Sequence, residues 1–166
     1  MSILSVDIGG TFIKYALMSR NGNIISREKI ATPKEGRDEL VETIGRLFDE
    51  MPDVEGIAIC MPGIIDPENG YCVTGGALRY NDDFYFRHVL YERCPVRIVM
   101  ENDAKCAAMA EARMGALKDV CDGLVLIFGT MIGGGIIPES FYLSSFTSLQ
   151  ASDINNLISG LTHLFR

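Results

Sequence analysis

The chain is expected to fold as an α/β domain, a mixed five-stranded sheet with helices on its faces. Three observations lead there. Short β-type runs alternate with segments whose apolar residues recur at helical spacing. The first three runs are separated only by turn residues, which makes them an antiparallel meander, whereas the later ones are joined through helices, as β-α units require. The length also suits a single domain of ordinary size. With 166 residues, 48% of them hydrophobic and 22% charged, the chain can bury a real core and is not disordered by composition.

Residues 3–6 form an apolar run with the bulk of a buried strand. Asp7-Ile8-Gly9-Gly10-Thr11 follows, and then the roughly alternating run 12–18, which reaches Asn21-Gly22, a strong hairpin signal. A carboxylate, two glycines and a hydroxyl between two strands suit an anion. Gly9 and Gly10 let backbone N–H groups approach it, Thr11 adds a donor, and Asp7 can hold a hydrated Mg²⁺. An ordinary glycine turn with an incidental Asp fits the same five residues. Residues 23–30 give the third strand. In 36–52 the period changes: Leu40, Ile44, Leu47, Phe48 and Met51 make an apolar stripe, with Glu39, Glu42, Arg46 and Asp49 off it. That stripe is packing.

Residues 54–60 read as a strand entering the core and ending at Met61-Pro62-Gly63. The polar, glycine-bearing stretch that follows, through Asn81, reads as a binding loop or lid, or as a surface hairpin around Asn69-Gly70. A short helix over 84–93 and a strand over 96–100 come next. Glu101-Asn102-Asp103 then opens an alanine-rich helix over 104–117, whose small residues permit close backbone packing. Asp103 suits a helix cap, and it equally suits a general base where strand meets helix, with Asn102 orienting a substrate. Residues 123–128 form one more strand, leading into a second glycine turn with a hydroxyl: Gly129, Thr130, Met131, Ile132, Gly133, Gly134 and Gly135. Exposed amides there would again favour an anion.

Charge and cysteine usage narrow the classes. The net charge is −7 with no Lys/Arg cluster, which argues against nucleic acid or an anionic membrane as the main partner. No run has the length of a membrane span and no leader is recognisable after Met1. Five cysteines without a C-x-x-C pair, and two histidines, indicate neither a zinc site nor a disulfide framework. A cytoplasmic protein with reduced thiols is the expectation.

Together these motifs carry a resemblance. Asp7-Ile8-Gly9-Gly10-Thr11 resembles the first phosphate motif of the actin/hexokinase/heat-shock-type ATPase superfamily. The order of Met61-Pro62-Gly63-Ile64-Ile65-Asp66, then Glu101-Asn102-Asp103, then the 129–137 stretch is similar to the ROK family. That family takes in bacterial glucokinases, other sugar kinases and sugar-responsive repressors. Thr74-Gly75-Gly76-Ala77-Leu78-Arg79-Tyr80 looks most like glucokinase or β-glucoside kinase-type members. The resemblance runs from about residue 2 to residue 137. It implies an RNase H-like, actin/hexokinase-type N-terminal domain and phosphoryl transfer from ATP, with Mg²⁺, to a hexose or β-glucoside hydroxyl. By position, Asp7, Gly9, Gly10 and Thr11 would face the ATP phosphates and Mg²⁺, with Asp7 on the metal. Asp103 would take the proton from the sugar hydroxyl, while Asn102 and Gly63 would border the sugar. Gly129, Thr130, Gly133 and Gly134 would form a second phosphate clasp. Lys14 falls where the family varies and is read as solvent-facing or a weak phosphate contact.

The chain departs from the family in two places. Met131 stands where the second phosphate turn usually has Gly, and residues 138–166 are unlike the family. The A-G-E-x-G-H-like sugar segment and the Cys/His zinc motif of its second domain are not found. The expected division is 1–118 as the sugar-kinase domain, 119–137 as the first strands of a truncated second domain, and 138–166 as an unrelated tail. That tail carries a short amphipathic helix (Ile154, Leu157, Ile158, Leu161, Leu164), which needs burial against its own domain or a second copy in a homodimer. A frameshifted or prematurely ended gene is the preferred origin, ahead of a deliberate half-protein. Little or no kinase activity is expected of the chain alone. A non-catalytic sugar-binding or regulatory module is the alternative, and the lack of an N-terminal helix-turn-helix ahead of the first strand argues against a DNA-reading repressor.

Overall fold

The computed structural model of the chain describes residues 2–128 and 132–137. The described residues divide into two compact units, with the division between Asp103 and Ala104.

The first unit is built on a five-stranded sheet. Strands β1 (Ser2–Ile8), β2 (Phe12–Ser19) and β3 (Ile24–Ala31) form the antiparallel meander; β4 (Val54–Met61) and β7 (Arg97–Asn102) join in parallel, giving the order β3-β2-β1-β4-β7. Alternation sorts the side chains of these strands. Leu4, Val6 and Ile8, Ile13 and Tyr15, Ile57, Ile59 and Met61, and Ile98 and Met100 are all buried in one core. Asp7 is opposite in phase to Val6 and Ile8, so it lies on the other face. Asn102 is in phase with Ile98 and Met100, and only 6% of it is exposed. The inward row of β7 therefore ends in an amide.

Helix α1 (Arg37–Glu50) carries the expected stripe, with Leu40, Ile44 and Leu47 buried and Phe48 and Met51 packed against the same core. Helix α2 (Phe86–Arg93) adds Phe86 and Leu90, both fully buried. Arg93, the last residue of α2, spans to α1: its Nε donates to Glu42 Oε2 at 2.9 Å and its Nη2 to Asp49 Oδ2 at 2.5 Å. The guanidinium crosses α1 at Gly45, where a Cβ would come within 2.5 Å of Arg93 Nε. Hydrogen bonds from Arg93 hold the Glu42 and Asp49 carboxyls below their ordinary values of 4.5 and 3.8. Carboxyls lowered in the folded state stabilise it above their unfolded values and lose that contribution as the pH falls through the folded ones. Wild type is therefore expected to keep an advantage over Arg93→Met in urea midpoint at pH 6 and to lose part of it below about pH 4. A pH-independent difference would remove the ion pairs from the account.

The stretch after β4 contains the hairpin expected around Asn69-Gly70. β5 (Ile64–Asp66) and β6 (Tyr71–Thr74) form a hairpin, and a 3₁₀ turn (Arg79–Asn81) follows it. Asp66 closes the hairpin: its carboxylate accepts the backbone N–H groups of Glu68 and Asn69 and the Asn69 amide, an Asx turn. Asn69 donates most strongly, and its bonds hold the Asp66 carboxyl below its usual range. Cys72 and Cys94 are buried thiols. Burial pushes the Cys72 and Cys94 thiols up to about 11, so these two are inert packing groups.

Helix α3 (Asp103–Met114) starts on the last residue of the first unit, and its remainder belongs to the second. Strands β8 (Gly123–Phe128) and β9 (Ile132–Ile137) pair as an antiparallel hairpin. The run Gly133-Gly134-Gly135, expected in a turn, is strand. Its reason is close approach: a Cβ on Gly133 would meet the Ala104 Cβ at 3.2 Å, and one on Gly135 would meet the Ala108 Cβ at 2.7 Å. The alanine face of α3 and the glycine strand are thus two halves of one tight contact. Among the described residues, no helix is long and apolar enough to cross a membrane.

Candidate active site

The first glycine turn joins β1 to β2 and is pinned from behind. Gly9 N–H donates to the Phe12 carbonyl at 3.0 Å, and a Cβ on Gly9 would lie 2.9 Å from that oxygen. Thr32, 4% exposed, donates its hydroxyl to the Gly9 carbonyl at 2.7 Å and its N–H to the Thr11 carbonyl at 3.0 Å. Gly10 and Thr11 are left exposed in front. The turn is therefore rigid on its inner side and open on its outer one, which suits a ligand that needs backbone donors.

Asp7 sits one residue before the end of β1, with strand partners on both sides. In the ladder it is opposite Lys14 of β2 and Cys60 of β4. Lys14 Nζ lies 3.2 Å from Asp7 Oδ2, and the Cys60 thiol donates toward Oδ1 at 3.5 Å. The Asp7 side chain is 42% exposed and Lys14 68%, so this ion pair is solvated and readily exchanged for another cation. Both residues line an open groove of about 410 Å³ across β1, β2 and β3, together with Arg27 and Lys29.

Asn102 and Asp103 mark the point where β7 becomes α3. The Asn102 amide nitrogen donates to the Gly63 carbonyl at 2.9 Å and to Asp103 Oδ1 at 3.1 Å. Asp103 is the first residue of the helix, where the unsatisfied N-terminal amides favour a carboxylate. Gly63 is held just as closely on its other side. With φ at +105°, it is a residue whose Cβ would fall 2.0 Å from the Thr74 carbonyl oxygen and 2.8 Å from the Gly76 nitrogen. Gly76 is itself at φ +58°. One residue further on, Ala77 approaches the phosphate-type turn, its Cβ 3.3 Å from where a Gly10 Cβ would stand.

These contacts form a continuous path: Gly10, Ala77, Gly76, Gly63, Asn102, Asp103. Three segments distant in the sequence, each singled out from its residues alone, thus meet within the first unit. Gly133 and Gly134 belong to β9 in the second unit, whereas Gly129 and Thr130, and Met131 with them, lie outside the described residues, as does the tail from 138 to 166. Sequence reasoning missed the Thr32 buttress, whose only signal is a hydroxyl at the end of β3. It also missed that the Asn102 amide is engaged by protein groups, since nothing in Glu-Asn-Asp tells which way an amide turns.

Among the described residues no group of three or more His, Cys, Asp or Glu is arranged to hold a metal ion. That leaves no all-protein cage, but it fits Mg²⁺, which is commonly held by one or two carboxylates together with substrate phosphates and water. Asp7, half exposed and beside the open turn, is the donor available for that purpose.

A phosphate-type turn after the first strand, a carboxylate at a strand-to-helix junction and a glycine-bearing loop between them, on a β3-β2-β1-β4-β7 sheet, define the actin/hexokinase-like fold of sugar kinases. Comparison narrows the class: the family model described as "ROK family" matches residues 3–143, and the chain belongs to the ROK family. The beta-glucoside kinase of Klebsiella pneumoniae is 36% identical over 139 residues, 84% of this chain and 47% of that protein. The N-acetyl-D-glucosamine kinase of Vibrio cholerae is 34% identical, over 80% of this chain and 45% of its own length. Among solved structures, a ROK family glucokinase from Streptomyces griseus in complex with glucose and AMPPNP superposes with a TM-score of 0.74 at 30% identity, over 84% of this chain and 45% of that one. The ROK hexokinase of Thermus thermophilus gives 0.68 at 29%, covering 84% and 47%. The chain spans about half the length of the curated relatives it matches.

Proposed function

We propose that this chain carries the sugar-side and first phosphate-side groups of an ATP-dependent ROK sugar kinase, acting on a hexose or β-glucoside hydroxyl. Residues 1–118 are the sugar-kinase domain of this reading, and 119–137 begin the second. The observation that supports it best is the path from Gly10 through Gly63 to Asp103, which sets a phosphate-type turn and a carboxylate on either side of one glycine loop.

In this reading Asp103 accepts the proton of the attacking sugar hydroxyl as its oxygen bonds to the γ-phosphorus of ATP. The bond from that phosphorus to the β,γ-bridging oxygen breaks, and ADP leaves. General-base help of this kind is worth about 10²–10⁴ in rate. The Asn102 amide fixes the carboxylate, and Gly63 borders the sugar. Gly9, Gly10 and Thr11 offer donors to the phosphates, and Gly129, Thr130, Gly133 and Gly134 supply the second clasp. Asp7 would hold Mg²⁺, which when bound would supply positive charge beside the transferred phosphoryl group. The protein is cytoplasmic in this reading and binds a small sugar rather than nucleic acid or membrane, with a homodimer as a further expectation.

Phosphoryl transfer is mostly positioning, and it needs groups on both sides of the nucleotide. The 166-residue chain on its own is therefore expected to bind ATP weakly and to phosphorylate sugar negligibly. A coupled assay with glucose, cellobiose and N-acetylglucosamine tests this. Turnover well above background, lost in Asp103→Asn, would show that the isolated chain is an active kinase. The second reading, a non-catalytic sugar-binding module, rests on the same Gly63–Asn102 contact. Sugar-dependent thermal stabilisation without ATP turnover would favour it.

A further inference from the structure

Asn81 ends the 3₁₀ turn and is fully buried, yet neither its amide nitrogen nor its amide oxygen has a hydrogen-bond partner. A buried amide with both ends orphaned is rare in native structures and calls for a physical explanation. The residue is not simply loose. Its N–H donates to the Leu78 carbonyl at 2.9 Å. The neighbour before it, Tyr80, donates its hydroxyl to the Pro33 carbonyl at 2.9 Å, and the neighbour after it, Asp82, accepts the Gly75 N–H at 2.7 Å. The turn is locked on both sides while the side chain between the locks is left unpaired.

Its place in the fold is informative. The Asn81 Cβ lies 3.0 Å from where a Gly75 Cβ would stand, and Gly76 packs on Gly63. Leu78, Cys72 and Phe86, all buried, belong to the core that this turn caps. An apolar side chain of the same shape would suit such surroundings better than an amide. The amide therefore has a use that the core does not supply, on the turn that follows the loop packed against Gly63.

We infer that Asn81 is a carbohydrate-binding residue: its orphaned amide, on the turn that follows Gly75 and Gly76, pairs with a sugar hydroxyl. The inference rests on the sugar-kinase reading and adds a specificity-determining residue to it. The chemistry selects the ligand. A primary amide offers one acceptor and one donor side by side, and a hydroxyl both donates and accepts. A phosphate or carboxylate would satisfy the donor and repel the acceptor.

The test uses the full chain, with glucose, cellobiose and N-acetylglucosamine titrated calorimetrically into wild type, Asn81→Leu and Asn81→Ala, and heat denaturation run alongside. Leu matches the shape of Asn without its polar atoms. Wild type is expected to bind at least one sugar, while Asn81→Leu melts at or above the wild-type temperature and binds that sugar at least tenfold more weakly. Asn81→Ala should lose the same affinity, and it decides by the same tenfold criterion if the Leu variant does not fold. Sugar affinity unchanged in both variants overturns the inference alone and makes the amide the partner of an internal water. No sugar bound by wild type overturns it together with the reading beneath it.

Discussion

Gly63→Ala is expected to lower the stability of the first unit by about 3 kcal/mol or more, an unusually large cost for one methyl group. Two effects combine. The backbone at +105° is strained for any residue with a Cβ, and that Cβ would stand 2.0 Å from the Thr74 carbonyl oxygen. Neither partner has an easy retreat. The Gly63 carbonyl accepts the Asn102 amide, and Thr74 is the ladder partner of Ile64 and receives its N–H on Oγ1 at 3.1 Å. The clash must therefore open the β5–β6 hairpin or release Asn102. Urea denaturation followed by circular dichroism would show a lowered midpoint. A midpoint equal to wild type would mean that the loop is not packed in this way.

Phe86→Ala is expected to cost about 3–5 kcal/mol, the range for removing a fully buried aromatic ring. Phe86 is 0% exposed and opens α2, with its ring edge-on to Phe84 at 6.0 Å between centroids. Phe84 in turn exchanges two backbone hydrogen bonds with Cys72, at 2.8 and 3.1 Å. The cavity would thus weaken both the seat of α2 and the segment that closes over β6. Phe86→Leu, which refills most of the volume, should cost under about 1.5 kcal/mol. Equal losses for the two variants would argue against a packing origin.

Much of this could be read from residue order alone because the signals were local. Alternation through 12–18, with Asn21-Gly22 after it, gives the meander, and the Leu40-Ile44-Leu47 period gives α1. The position of Asp103 follows from the apolar run before it and the alanine-rich run after it. What was not legible depends on contacts between distant segments. Nothing near Gly63 says that Gly76 will lie against its back, or that Asn102 will spend its amide on the Gly63 carbonyl. Asn81 looked like any polar loop residue, since burial is set by the whole fold and not by neighbours in sequence. The glycines at 133–135 were legible as glycines but not as strand. Their need for close approach comes from Ala104 and Ala108, about thirty residues upstream, and two different demands for a missing side chain look alike in one dimension.

The bonds from the Asn102 amide to Gly63 and to Asp103 make the loop and the Asp103 carboxylate one mechanical piece. In the proposed role, a hexose resting on the loop would press on the carboxylate's own hydrogen-bond partner. Any shift of the Gly63 carbonyl is thereby passed through one amide to the carboxylate, with no separate gate.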